Sequence, residues 1–280
     1  MSETSKFADL QTRFMSAVVM VAVGAIMLWL GGWIFTLLII AVVFAMHWEM
    51  GRMLTPLSMQ AHWFSAVTSV ISLIWALTTD SVIEQIVVII IAAQLQRLYF
   101  HKVDTLGMLV SVGITIGALL LIHLRNEFGM TETLWIIGLV VITDIAGYFF
   151  GRIVGGAKFW PAFSPKKTWS GVLGGWVGAV LFTYAMAQSG YIYLQVETAV
   201  LIALCLSFAS QLGDITESAL KRASGVKDSS NLIPGHGGAM DRFDGLIGAS
   251  LAYAWILELI HGFETCFNFR GNRVYWPKYP

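Results

Sequence analysis

Apolar residues in this chain come in long blocks separated by short polar breaks, and the blocks are the size that a bilayer demands. A helix crossing a hydrocarbon layer about 30 Å thick needs about 20 mainly apolar residues. The block over residues 14–46 is too long for one crossing and is interrupted at Gly31-Gly32, which predicts two spans. Seven more are predicted at residues 62–77, 82–95, 106–123, 133–150, 171–188, 198–213 and 245–261, those from 62 and 82 being short enough to tilt or lie partly in the interface. The expectation is an all-α, polytopic integral membrane protein of about nine transmembrane helices. Five spans fall in residues 1–130, and residues 131–280 form a catalytic membrane region with polar loops at 151–170 and 214–244.

Composition agrees: 57% of the residues are hydrophobic and 12% charged, against roughly 25% charged in a soluble domain. Loops rich in Lys and Arg stay cytoplasmic. With the N-terminus inside, thirteen of the seventeen cations fall on the inner side, and Arg125, Arg270, Arg273 and Lys278 fall outside. Three of those four are in the C-terminal tail, so the last crossing is the least supported by charge. A formal net charge of zero gives no argument for nucleic acid or an acidic partner. The first apolar run continues into the second without a small-residue cleavage site, which reads as retained helix. Cys205 in a span and Cys266 in the tail support neither a disulfide framework nor a CxxC metal site.

The two long connections are both placed inside. In GRIVGGAKFWPAFSPKKTWSG, residues 151–171, Gly155, Gly156, Pro161 and Pro165 predict a loop with turns. Its Lys166, Lys167 and Thr168 are clustered donors of the kind that suits phosphate, though the lysines would equally satisfy the charge rule or touch anionic lipid heads. Gly171, Gly174, Gly175 and Gly178, just downstream, read as a small-residue packing face. In the second island, Asp214, Ser218 and Lys221 share one helical stripe with Arg222 beside it. It closes with PGHGGAMDRFDG, where Gly235, Gly237 and Gly238 clear side chains from a turn and a helix starting near Met240 aims its positive end at the same place. Asp241 and Asp244, on one face of that first turn, would repel each other without a cation between them. Magnesium fits, because it takes carboxylate and phosphate oxygens; zinc does not, since His236 has no second histidine or cysteine at ligand spacing. Asp144, inside a predicted span near its cytoplasmic end, is a functional candidate by default, or a partner for Arg152 or Arg13.

The stretch SALKRASGVKDSSNLIPGHGGAMDRFD, residues 218–244, resembles the signature of the phosphatidate cytidylyltransferases, the CDP-diacylglycerol synthases. TDIAGYFFGR followed by SPKKTWSG is similar to a second block of that family, with Ser170 where an acidic residue is expected. The resemblance covers the chain from Asp144 onward. It implies a multi-pass enzyme that makes CDP-diacylglycerol and pyrophosphate from CTP and phosphatidic acid with Mg²⁺, and with a monovalent cation such as K⁺ alongside. The expected catalytic set is Asp214, Asp241, Asp244 and Lys221, the three aspartates as metal ligands. The expected substrate-binding set is Asp144, Ser164, Lys166, Lys167, Thr168, Ser218, Arg222, Lys227, Asp228, His236, Gly237, Gly238 and Arg242. Expected partners are CTP, phosphatidic acid and membrane lipids, with no nucleic acid; the small-residue faces permit a homodimer. The expected location is the inner membrane, with the site facing the cytoplasm. The rivals are another CTP-dependent lipid enzyme and a cation-coupled transporter, the latter predicting acids spread through the spans.

Overall fold

The structure, a computed structural model, describes residues 3–100, 105–192 and 194–261; Lys102, Cys266, Arg270, Arg273 and Lys278 lie outside them. The regular secondary structure of the described residues is helical apart from one small hairpin. Its helices are α1 Glu3–Leu30, α2 Gly32–Leu54, α3 Met59–Thr78, α4 Val82–Phe100, α5 Thr105–His123, α6 Met130–Ile153, α7 Trp169–Gln188, α8 Val196–Ala223 and α9 Met240–His261. Among the described residues, eight helices are long and apolar enough to cross a membrane, and the described part of α9 is not among these. The all-α polytopic architecture therefore stands, while the ninth expected crossing falls on a helix whose first turn carries Asp241, Arg242 and Asp244.

The break between α1 and α2 falls at Gly31 and Gly32, whose φ angles of 63° and 50° are left-handed and cheap only for glycine. Arg125 closes that corner: its Nε donates to the Leu28 carbonyl at 2.8 Å, satisfying an end-of-helix acceptor of α1. This gives a structural role to Arg125, one of the four cations that the charge rule leaves on the expected outer side. Ser58 caps α3, its Oγ accepting from Ala61 N at 3.3 Å.

The buried interior includes Val43 and Met46 of α2, Ile136 and Leu139 of α6 and Leu206 of α8, whereas Trp29, Trp33, Leu181 and Leu201 are exposed on the outer surface. That inversion is what lipid as solvent produces: association rests on close packing and interhelical hydrogen bonds rather than on hiding apolar area. Both devices are present. Gln96 of α4 donates to Ser69 Oγ of α3 at 2.8 Å and accepts from Ser111 Oγ of α5 at 2.9 Å, and Ser111 meets His47 of α2 at 3.2 Å. The glycine face of α7 lies against α6, where a methyl on Gly178 would sit 2.7 Å from Ala146 Cβ and one on Gly171 2.7 Å from the Gly147 carbonyl.

The first polar island is more ordered than a loop. β1 Lys158–Trp160 pairs antiparallel with β2 Ser164–Thr168, with Trp160 opposite Ser164 and Lys158 opposite Thr168. Thr168 then caps α7, its Oγ accepting from Gly171 N at 3.3 Å.

Candidate active site

The C-terminal end of α8 and the N-terminal end of α9 bring three carboxylates together. Ligand oxygens of Asp214, Glu217 and Asp244 all lie within 4.8 Å of one another. Small residues make this possible: a methyl on Gly213 would collide with the Asp244 carbonyl, and one on Gly248 with the Ala209 carbonyl, so α8 and α9 touch backbone to backbone. Glu217 is 3% exposed. It pairs with Lys221 one turn along α8, while its Oε1 has no hydrogen-bond donor among the described residues. A buried carboxylate oxygen without a donor is costly unless a proton or a cation completes it.

Asp241 is held differently. Its Oδ1 receives Lys221 Nζ at 2.6 Å; its Oδ2 accepts from Ser229 Oγ at 2.7 Å, Gly238 N at 2.9 Å and Ser229 N at 3.0 Å. Burial alone would raise its pKa, but these donors outweigh it and hold the carboxyl down at about 2. Asp244 shows the opposite balance. Burial, then the charge of Asp214 and that of Asp144, pushes its carboxyl up to about 7 against the Gly245 N–H and Lys221. Crowded acids whose mutual repulsion raises a carboxyl in this way mark a candidate functional site.

The two polar islands meet at this cluster. Lys167 of β2 places Nζ 2.7 Å from Asp214 Oδ2 and 3.4 Å from the Gln211 carbonyl of α8. Because side chains alternate along a strand, Lys166 is exposed while Lys167 is turned inward.

Residues 11–260 match the profile of the cytidylyltransferase family. The chain belongs to that family. It is similar to the phosphatidate cytidylyltransferase of Brucella suis, 36% identical over 262 residues that cover 87% of this chain and 91% of the relative. It is also similar to that of Staphylococcus epidermidis, 38% identical over 146 residues, 52% of this chain and 56% of the relative. For the Bacillus subtilis protein the figures are 40% over 153 residues, 51% and 55%. The family fits a multi-pass membrane nucleotidyltransferase.

In this cytidylyltransferase the remaining sequence-predicted residues divide by environment. Arg242 clamps the glycine turn, donating through Nε and Nη2 to the His236 carbonyl at 2.9 and 2.8 Å. The turn closes through Ile233 N to the Gly237 carbonyl at 2.8 Å, with Gly235 and Gly237 at φ of 75° and 84°. Ser16 of α1 seals its far side, donating to the Pro234 carbonyl and lying as close to His236 Nδ1, both at 2.8 Å. Arg222 donates to the Val226 carbonyl at 3.2 Å. Lys227 and Asp228 are exposed on the following loop; Ser164 and Ser218 are half-buried. Thr168 is committed to the α7 cap. Asp144 is exposed on α6, and Arg152 bonds Tyr148 at 2.6 Å.

Two acids outside the sequence-based set join the site. Glu217 stands three residues after Asp214 and four before Lys221, a spacing that puts it on the same helical face. Glu49 is a fully buried acid in α2, to which the rule for intramembrane acids applied to Asp144 applies equally. Beneath the cluster, a cavity of about 370 Å³ runs between α5, α8 and α9. Glu217 and Asp244 stand at its polar end, and the walls are apolar, among them Val110, Leu212, Ile247 and Leu251. Leu109 and Trp255 on its rim are exposed on the apolar outer surface.

Proposed function

We propose that this protein is a phosphatidate cytidylyltransferase, acting in the inner membrane with its site toward the cytoplasm. The observation that carries the reading is the placement of the Asp214, Glu217 and Asp244 cluster at the polar end of an apolar cavity that opens on the outer surface. An acyl chain fits such a cavity and a headgroup phosphate then falls among the acids and lysines, while CTP reaches the same place from the aqueous side. Phosphatidate also explains why no Ser-His pair is needed: its phosphate oxygen is already anionic near neutral pH. That oxygen attacks the α-phosphorus of CTP; the new P–O bond forms CDP-diacylglycerol, and the bond to the β-phosphate breaks, pyrophosphate taking the electron pair.

The protein's task is then to bring two polyanions together and offset their charge. Lys167 and Lys221 supply fixed positive charge at the rim, and each is held by a carboxylate, so neither has to be ordered when substrate arrives. Asp241 orients Lys221 and fixes the turn through Gly238. Asp214, Glu217 and Asp244 are the residues that would hold Mg²⁺, and Glu217 Oε1, which lacks a donor, fits an oxygen-seeking cation. When bound, the ion neutralises phosphate charge and favours departure of pyrophosphate.

The test is direct. Purified protein in detergent with phosphatidic acid, labelled CTP and Mg²⁺ should form CDP-diacylglycerol and pyrophosphate, and Asp244→Asn should abolish the product while the protein stays folded. No product from the intact protein would overturn the reading, and undiminished product with excess chelator would overturn the metal assignment.

A further inference from the structure

The signature motifs, the clustered acids and both polar islands lie in the second half of the chain, yet one side chain from the first half reaches into the middle of them. Glu49 lies in α2, one turn and a half from its C-terminal end, and its exposure is 0%. Four donors lie within hydrogen-bond distance of its carboxylate: Ser230 Oγ at 2.6 Å and Ala239 N at 2.9 Å from Oε1, Met240 N at 2.8 Å and Ser229 Oγ at 3.1 Å from Oε2, the single Ser229 hydroxyl proton being shared with Asp241. Two of these donors are backbone N–H groups at the start of α9, which have no acceptor within their own helix, and an anion at that end is favoured by the helix dipole. The fit leaves no room for a side chain at position 238, where a methyl would lie 2.5 and 2.6 Å from the two Glu49 oxygens.

Ser229 carries the connection onward. Its Oγ stands between two carboxylates, 3.1 Å from Glu49 and 2.7 Å from Asp241. Asp241 holds Lys221, which pairs in turn with Glu217. A continuous chain of contacts therefore runs from α2 through the glycine turn to the acid cluster. We propose that Glu49 is a positioning residue for the active site: it fixes the glycine turn and the first turn of α9 against α2, and through Ser229 it sets Asp241 and Lys221 relative to Glu217. The role rests on the reading of the cluster as the reaction centre, but its structural half stands by itself. On this account the N-terminal helices do more than anchor the enzyme.

Glu49→Gln keeps the size and turns an amide N–H₂ toward donors that need an acceptor. In detergent, turnover at saturating substrates should fall by about 10- to 100-fold, the usual cost of losing a carboxylate that orients a functional group. Amide hydrogen exchange should quicken at Ala239 and Met240, which bond Glu49, and also at Gly238, which bonds Asp241, while α3, α4 and α5 exchange as in the parent. Loss of turnover with quickening spread evenly over all helices would mean general destabilisation and would overturn the proposal. So would quickened exchange around the turn with parental turnover. Ser230→Ala, which removes one donor and no charge, should give the same pattern in weaker form and serves if Glu49→Gln does not fold; a parental exchange pattern there is the contrary result. If the parent protein makes no CDP-diacylglycerol, the proposed function fails, and the exchange data still decide whether Glu49 holds the turn.

Discussion

Replacing Gly213 with alanine tests the helix crossing on which the acid cluster depends. A β-carbon there would meet the Asp244 carbonyl oxygen inside contact distance and the Gly245 Cα at 3.4 Å. Carbon and oxygen tolerate each other at about 3.3–3.6 Å, so the methyl forces α8 and α9 apart by roughly 1 Å at that point. Asp214 follows Gly213 and Asp244 owns the displaced carbonyl, so two of the three clustered acids separate. Overpacking of this kind costs about 1–3 kcal/mol, offset in part by about 1 kcal/mol of helix propensity gained over glycine. Stability should change little. Turnover should fall about 100-fold, because catalysis is sensitive to misplacements near 1 Å. Gly178→Ala is the matched control: its methyl would sit 2.7 Å from Ala146 Cβ, a squeeze between α6 and α7 away from the acids. Both variants would be assayed in detergent for CDP-diacylglycerol formation and for melting by tryptophan fluorescence. Gly213→Ala with parental turnover, or an equal loss in Gly178→Ala, would refute the argument that this crossing sets the site.

Three further outcomes are expected. Lys167→Met should lower turnover by about 10- to 100-fold, far more than Lys166→Met, and equal losses would deny the inward orientation of Lys167. Asp244, with its carboxyl pushed up to about 7, is neutral below that pH and ionised above it, so a proton competes with the cation on the acidic side. Calorimetric Mg²⁺ affinity of the substrate-free protein should therefore weaken by up to about tenfold per unit as pH falls below 7; a flat profile from pH 6 to 8 would contradict this. Gly113 lines the cavity, and a β-carbon there would have only Leu251 Cδ1 as a neighbour, at 3.8 Å. Gly113→Phe should fit by filling the cavity and raise the KM for long-chain phosphatidate about tenfold, the worth of roughly two buried CH₂ groups, with CTP kinetics retained; an unchanged lipid KM would place the acyl chain elsewhere.

The clustering of Asp214, Glu217 and Asp244 shows where sequence reasoning reached and where it stopped. Asp214 was marked as a candidate by standing where an apolar helix runs on into polar sequence, and Asp244 by sharing one helical face with Asp241. Glu217 was legible in principle from its helical spacing, but a Glu four residues before a Lys is also the commonest surface pair, and only its burial separates the two cases. Asp241 reads as a metal ligand when it is known only to lie one turn from Asp244. In the fold, its two oxygens are occupied by Lys221, Ser229 and Gly238, which fits an orienting group better. The hairpin Lys158–Thr168 was hidden because Gly and Pro mark turns without saying what the turns connect.

Hydropathy was sufficient for eight of the nine expected membrane helices among the described residues, since the lipid core forces every backbone group into a helical bond and leaves little else for long apolar runs to form. Charge placement and the glycine-rich signature were sufficient for the class of chemistry. What no local pattern encodes is which helices touch. The contact of Lys167 with Asp214, separated by 47 positions, and that of Glu49 with Ala239, separated by 190, join elements remote in sequence. That selection is made by packing among all the helices together, and so only the tertiary structure decides it.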